Sequence, residues 1–282
     1  MTRVKPTLPV LAAAIAIAIA GPWSVHEAKA QPRQLRVCAD SNNLPFSNER
    51  LEGFENRIAA LIAKDMGATV TYTWMPQRRG FVRRTLKAGE CDLVMDVPNG
   101  YEMVLATKPY YRSTYVFVYR RDRNIDLHSF DDPALRDLRI GLHMAAADGA
   151  NQPPAHALAR RGLVTNVVGF TMFDVDAIES PTGRIVDAVA VGDIDVAIVW
   201  GPFGGYFAQR QKVPLQVVAV SPSIEPTGLP FVFDMAMGVR RGQEAFKSEL
   251  ERILDRRRAD IQKILEDYGI PLVAAEPRGS QR

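Results

Sequence analysis

The 282-residue sequence is poor in the side chains that most often carry chemistry, with two cysteines and four histidines. Cys38 and Cys91 alone cannot build a cysteine-ligated metal site. Histidine is equally thin: past the first 30 residues only His128, His143 and His156 occur, too scattered to form a cluster. The chain has no nucleophile–base–orienter set, no glycine-rich phosphate loop and no zinc spacing, so neither catalysis nor a metal or cofactor site is expected. Charge of one sign is also missing. Lys and Arg number 35 against 32 Asp and Glu, a formal charge of +3, which argues against a nucleic-acid partner. Beyond residue 30 no apolar run approaches membrane length, so no membrane insertion is expected of residues 31–282.

The first 30 residues differ from the rest. Arg3 and Lys5 precede an apolar run over 8–20, and Ala28-Lys29-Ala30 closes it as an A-x-A site. This is the pattern of a secretory leader cleaved before Gln31. Its removal takes away Arg3, Lys5, Lys29 and Glu27, which leaves 32 bases against 31 acids. An exported chain of about 250 residues has room for two modest domains. Export also bears on Cys38 and Cys91, which lie in or at the start of two strand candidates. Either the two are bonded, as parallel neighbouring strands and an oxidising compartment allow, or they are buried thiols.

The stretch QLRVCADSNNLPFSNERLEGFENRIAALIAK, residues 34–64, organises the remainder of the chain. Alternation predicts a strand over 35–39, and a polar loop rich in Asn, Pro and Ser runs over 40–52. Gly53 then opens a helix whose apolar positions Phe54, Ile58, Leu61 and Ile62 repeat at helical spacing, with Gly67 at its end. The pattern repeats: strand 69–74, loop 75–80, helix 81–88, strand 91–97. A long alternating strand is predicted over 114–120 and a local helix within 129–138. A second series begins with strand 139–142 and the helix from Pro153 or Pro154 to Arg161. It continues with helix 183–190 and a near-continuous apolar strand over 194–200, as buried parallel strands have. Strands over 215–220 and 231–240 and one long amphipathic helix over 243–268 complete it, with Arg256, Arg257 and Arg258 on a solvated face. Alternating strands and helices in two series predict an α/β protein with parallel-type sheets.

The order of NNLPF, GFE, GECDLVM, KPYYRSTYVFV, LRIG and GDIDVAIVWGP resembles the type II periplasmic solute-binding proteins over residues 35–271. The wording VCADSNNLPFSNE, PQRRGFVRRTL, KPYYRSTYVFV, PPAHALARRG and IDVAIVWGPFGGYF resembles one branch more closely, the quinoprotein-dehydrogenase-associated binding proteins of the MxaJ/XoxJ type. The resemblance implies a two-lobed α/β fold with a central cleft and two hinge strands, near 114–120 and 231–239. Lobe 1 would comprise residues 31–113 and 234–273, lobe 2 residues 114–233, and residues 274–282 a flexible tail.

Departures from the amino-acid binders of that fold sharpen the expectation. Those relatives carry an Arg shortly before the segment that is Pro109-Tyr110-Tyr111 here, to clamp a ligand carboxylate. This chain has Asn99-Gly100-Tyr101-Glu102 there. They carry an Asp at the end of the strand that is IDVAIVW here, and that position is Trp200. With both charged anchors gone, Phe46, Trp74, Met75, Tyr110, Tyr111 and Trp200 would give an apolar, aromatic cleft suited to a flat organic molecule or a protein segment. Each could instead be core. Asp40 and Asp96 both follow strands at the same sheet edge and either face one another in the cleft or cap loops. Asn43 and Gln77, on the loops after the first two strands, complete the candidate set together with His143, which is either a cleft residue or an ordinary hydrogen-bonded histidine. Arg78, Arg79, Arg83 and Arg84 form either a docking patch or a solvated helix face.

Three classes of function remain open. The resemblance implies a non-enzymatic periplasmic partner of a pyrroloquinoline-quinone-dependent methanol dehydrogenase of the lanthanide type, aiding its maturation or activation. The fold alone would favour an importer's receptor for a small organic ligand other than an amino acid. A dehydratase on this fold ranks last, because such enzymes keep the carboxylate-clamping Arg.

Overall fold

The alternating run before Arg120 becomes the longest strand, Tyr111–Arg120, and the sheet is built around it. The computed structural model describes residues 1–2, 32–144, 152–172 and 180–274. Almost all of the expected leader (1–30) and of the expected tail (274–282) lies outside the described residues.

In chain order the strands are β1 (Arg33–Ala39), β2 (Asn42–Asn43), β3 (Ser47–Asn48), β4 (Ala68–Trp74), β5 (Leu93–Pro98), β6 (Leu105–Ala106), β7 (Tyr111–Arg120), β8 (Ile140–Met144), β9 (Val167–Thr171), β10 (Val196–Trp200), β11 (Leu215–Ala219) and β12 (Val232–Val239). The helices are α1 (Phe54–Met66), α2 (Phe81–Arg84), α3 (Pro153–Arg160), α4 (Arg184–Val191), α5 (Gly201–Ala208), α6 (Glu244–Arg256) and α7 (Arg258–Asp267). The main sheet runs β4-β1-β5-β12-β7-β10-β8-β9, with β11 on β7 and β6 on β12. β4, β1 and β5 form one parallel trio, and β10, β8 and β9 a second. Between them β12 and β7 pair antiparallel, Val232 with Thr114 through Met235 with Tyr111. The same two strands then diverge: β12 continues along β5 through Val239, and β7 continues along β10 and β11 through Arg120. This is the mixed α/β sheet of the type II periplasmic-binding-protein fold, and the two shared strands are its crossing.

Local chemistry explains the elements that matter for the site. The loop between β1 and α1 folds back on the helix start, where the Phe54 and Glu55 amides donate to the Pro45 and Phe46 carbonyls at 2.8 and 3.0 Å. A Cβ on Gly53 would fall 1.9 Å from the Phe46 carbonyl oxygen, so only glycine fits there. Asn56 Oδ1 accepts from the Gly53 amide at 3.1 Å and the Asn48 amide at 3.2 Å, which fixes the loop to the first turn of α1.

Three expectations are corrected. Helix 81–88 reduces to the single turn of α2, because Thr85 leaves helical geometry and its hydroxyl bonds back to the Phe81 carbonyl. The single terminal helix is two helices that break at Arg257, so that Leu250, Ile253 and Leu254 of the first and Ile261 and Leu265 of the second all stay buried. The arginines at that break are not merely solvated, since Arg257 grips Asp65 of α1 through Nη2 at 2.6 Å and Nε at 3.0 Å. Conversely, α5 forms over GPFGGYFA, a composition that discourages a helix. Its glycines are demanded by contact: a Cβ on Gly204 would meet Val116 at 2.5 Å, and one on Gly205 the Gly269 carbonyl oxygen at 1.8 Å.

Cys38 and Cys91 are bonded, with Cα atoms 5.5 Å apart. The first is in β1, and the second just precedes β5, its parallel neighbour. Asp92 reinforces the join by accepting a two-point bond from Arg36 at 2.7 Å and a further bond from Arg240 at 2.8 Å. The expected outcome of thiol alkylation with intact-mass analysis is no label before reduction and two labels after it. Two labels without reductant would contradict the bond. Replacing both cysteines by serine should cost on the order of 4 kcal/mol for a closed loop of this length, read from denaturant unfolding.

Candidate functional site

In open α/β folds ligands sit at the carboxyl ends of the parallel strands, and here those ends collect most of the candidate residues. Asp40, at the end of β1, ties two loops together. Its Oδ1 accepts the Asn42 amide at 3.0 Å, and its Oδ2 accepts the Gln77 amide at 2.7 Å. Asn43 Nδ2 donates to Gln77 Oε1 at 3.2 Å. Asp40, Asn43 and Gln77 are thus brought together, and Asp40 acts as a loop cap of the kind that turn chemistry favours.

Behind this surface lie two carboxyls, Glu55 buried and Asp96 half-buried. Asp96 in β5 accepts the Tyr111 hydroxyl on Oδ2 at 3.1 Å, while its Oδ1 is shut away from solvent without a partner. Tyr110 turns its hydroxyl to the Met95 carbonyl at 3.0 Å. Glu55, in the first turn of α1 and only 5% exposed, also has an unpartnered oxygen. Burial pushes both acids up, Asp96 to about 7 and Glu55 well above the carboxylate range, and the nearby Asp96 and Asp40 raise Glu55 further. At neutral pH the pair therefore keeps at least one proton. Among the described residues no three His, Cys, Asp or Glu side chains are grouped as a metal site would need.

The aromatic candidates divide. Trp74 lies half-buried and stacked on Tyr72, centroids 4.6 Å apart and planes 13° apart. Trp200, at the end of β10, is half-buried with its ring against the Tyr115 and Phe233 edges at 5.4 and 5.8 Å. Tyr110 is also half-buried. Phe46 and Tyr111 are core instead: Phe46 is clasped by Phe54 and Phe203 at 5.1 and 5.2 Å, and Tyr111 by Phe54 and Tyr110. His143 is buried as well, 3% exposed and edge-on to Phe203. Burial lowers its pKa to about 4, so the ring is neutral. Its Nε2 lies 3.1 Å from the Thr182 carbonyl, which can only accept, so the proton sits on Nε2. Arg78 and Arg79 are exposed.

The edges of the two trios touch. The Ser180 amide donates to Asn42 Oδ1 at 3.0 Å, and the Thr182 hydroxyl donates to the Leu44 carbonyl at 2.9 Å. Beside these bonds Asp40, Asn42, Asn43, Arg78, Met172 and Pro181 enclose a pocket of about 180 Å³. A larger pocket of about 350 Å³ opens on the first trio between α2, β5 and the turn bearing Tyr101 and Met103. Sequence reasoning missed Glu55, which reads as an ordinary acid at a helix start. It also missed Thr182, which carries no motif and acts through a position that only the fold supplies.

A family model described as bacterial extracellular solute-binding proteins, family 3, matches residues 35–270. Protein MoxJ of Methylorubrum extorquens is 30% identical over 262 residues, covering 89% of this chain and 85% of the relative. Protein MoxJ of Paracoccus denitrificans is 31% identical over 276 residues, covering 93% and 95%. The crystal structure of periplasmic binding protein XoxJ from Methylobacterium extorquens AM1 superposes with a TM-score of 0.71 at 36% identity, covering 86% of this chain and all of that one.

The buried acids make stability depend on pH with a defined sign. The folded state holds protons that the unfolded chain releases near pH 4, so their contribution is complete below that pH and is lost as pH rises through about 7. Asp96→Asn keeps an acceptor for the Tyr111 hydroxyl and removes the charge. It should stabilise the protein at pH 8 by on the order of 2 kcal/mol, with the gain shrinking as pH falls and vanishing only below about pH 4. Thermal unfolding from pH 5 to 8 checks this, and parallel wild-type and mutant curves would contradict it.

Proposed function

The chain belongs to the bacterial extracellular solute-binding proteins of family 3 and, within them, to the MoxJ and XoxJ type of periplasmic binding protein, and from that premise we propose a function that is not solute capture. The protein is a non-enzymatic accessory factor that binds a pyrroloquinoline-quinone-dependent methanol dehydrogenase of the lanthanide type directly and assists its maturation or activation. It works in the periplasm after loss of the leader over 1–30. No helix among the described residues is long and apolar enough to cross a membrane. Its two lobes, 31–113 with 234–273 and 114–233, are joined by β7 and β12.

One observation carries this reading: the strand end where an amino-acid receptor places an acid holds Trp200, packed against Tyr115 and Phe233. The second anchor is missing too. The segment 99–102 is a tight turn in which the Asn99 amide bonds to the Asp234 carbonyl at 2.8 Å, and it bears no Arg. An ammonium and a carboxylate entering such a cleft would be desolvated without charged partners, at a cost of several kcal/mol. Half-buried tryptophans are instead the side chains that anchor protein interfaces.

Two measurements test the proposal. Calorimetric titration with the standard amino acids should give no saturable isotherm, and a clear micromolar one would return the protein to the receptor class. Purified dehydrogenase, with and without its cofactor, should bind the immobilised mature protein. Trp200→Ala and Trp74→Ala, each shown to be folded by circular dichroism, should weaken that binding about thirtyfold. Absence of any wild-type association sinks the proposal. Equal binding by both mutants would exclude the two tryptophans as its anchors.

A further inference from the structure

Many of the protein's arginines are neutralised within the fold. Arg33 pairs with Glu249, Arg36 and Arg240 with Asp92, Arg139 with Asp195, Arg160 and Arg161 with Glu225, and Arg257 with Asp65. Around α2 this rule fails. Arg79, Arg83 and Arg84 are exposed, and none has an ion pair among the described residues. Nor do Arg83 and Arg84 point away from one another. Gly80 is left-handed at φ +86°, and the turn it allows brings Arg83 Nη2 within 3.2 Å and Arg84 Nε within 3.6 Å of the point where its Cβ would begin. Two guanidiniums so gathered repel each other unless an anion joins them.

The same turn walls the 350 Å³ pocket. Arg79, Gly80 and Arg83 form one side, Phe81, Val82 and Val97 the interior, and Tyr101 and Met103 the far lip. Tyr101 is more than a third exposed, with its hydroxyl 3.1 Å from the Met103 sulfur. Asp96 also lines the cavity, with Oδ1 withdrawn from solvent and Oδ2 accepting the Tyr111 hydroxyl. A cationic rim over an apolar and thioether interior is complementary to a carboxylate placed next to an aliphatic or aromatic side chain.

Resting on the accessory-protein reading, we propose that this pocket is a docking site of its own for an acidic segment of the partner protein, with a Glu or Asp on the arginine rim and a neighbouring apolar side chain in the cavity. The site lies on the first trio and does not use Trp200.

The test has two independent arms on the full mature chain. In the first, a short fluorescent peptide alternating Glu with Phe and Leu is titrated by anisotropy, beside a peptide with Lys in place of Glu. The acidic peptide should saturate, more weakly as salt is raised, and the lysine peptide should not. Arg79→Ala/Arg83→Ala should lower its affinity at least tenfold. Met103→Trp, which fills the cavity without touching the charge, should do the same. No saturable binding, or equal binding by both variants, overturns the proposal. In the second arm the same variants meet the methanol dehydrogenase. If wild type and Arg79→Ala/Arg83→Ala bind the enzyme alike, the pocket is overturned while the accessory function stands. If the peptide binds as expected but the enzyme binds no form of the protein, the accessory function fails and the acidic-segment site remains.

Discussion

The antiparallel pairing of β7 with β12 is the constraint on which the rest of the molecule depends. Four residue pairs, Thr114 with Val232 through Tyr111 with Met235, hold together a sheet that would otherwise be two separate parallel trios. Side chains reinforce it: Arg112 and Asp234 face each other across the ladder with a charge separation of 3.6 Å. The chain end is laced to the same place, since the Ser113 hydroxyl reaches the Pro271 carbonyl at 2.7 Å and the Val273 amide reaches the Arg112 carbonyl at 3.0 Å. A one-residue slip here would turn every side chain of β7 to the opposite face. It would also displace α5, whose glycines lie directly on Val116 and on the Gly269 turn. The crossing therefore fixes where Trp200, which opens α5, stands relative to the loops of the first trio.

The first strand–loop–helix unit and most of both parallel series were legible because they rest on local chemistry: alternation in β1, helical spacing in α1, and a left-handed Gly67 at its end. The edge strand β9, interrupted by Gly169 and mostly exposed, was not read. The cysteine pairing was legible as one of two outcomes, because parallel neighbours place side chains within bonding reach. The features that stayed hidden were set by contacts distant in sequence. The α5 glycines read as breakers until the strand beneath them is seen. The last helix splits where Arg257 pairs with Asp65, nearly two hundred residues earlier. Phe46 and Tyr111 could not be separated from Trp74 and Trp200, since an aromatic after a strand looks the same whether it faces a cleft or a core. The acid pair was half legible: Asp96 stood out by its place at a strand end, while Glu55 enters only through the approach of α1 to β5.

The site that emerges is poor in free charge at its centre and rich in it at one side. Carboxyls near the cleft are either spent on loop caps, as in Asp40, or buried and partly protonated, as in Glu55 and Asp96. His143 is neutral and tied to Thr182. Little is left there to recognise a zwitterion. Exposed Arg83 and Arg84 of α2, without an ion pair among the described residues, lie instead beside a cavity with apolar walls. The proposed partner contact would draw on the half-buried tryptophans and the basic rim, the kinds of side chain that anchor and steer protein interfaces.

Hydrogen exchange of the mature protein, alone and with an excess of the methanol dehydrogenase, tests the central claim most directly. It reads contact along the whole backbone without assuming where it occurs. The account predicts slowed exchange over residues 74–84 and around 199–203, with α6 and α7 unchanged. Identical exchange in the two samples, or protection confined to α6 and α7, would contradict it.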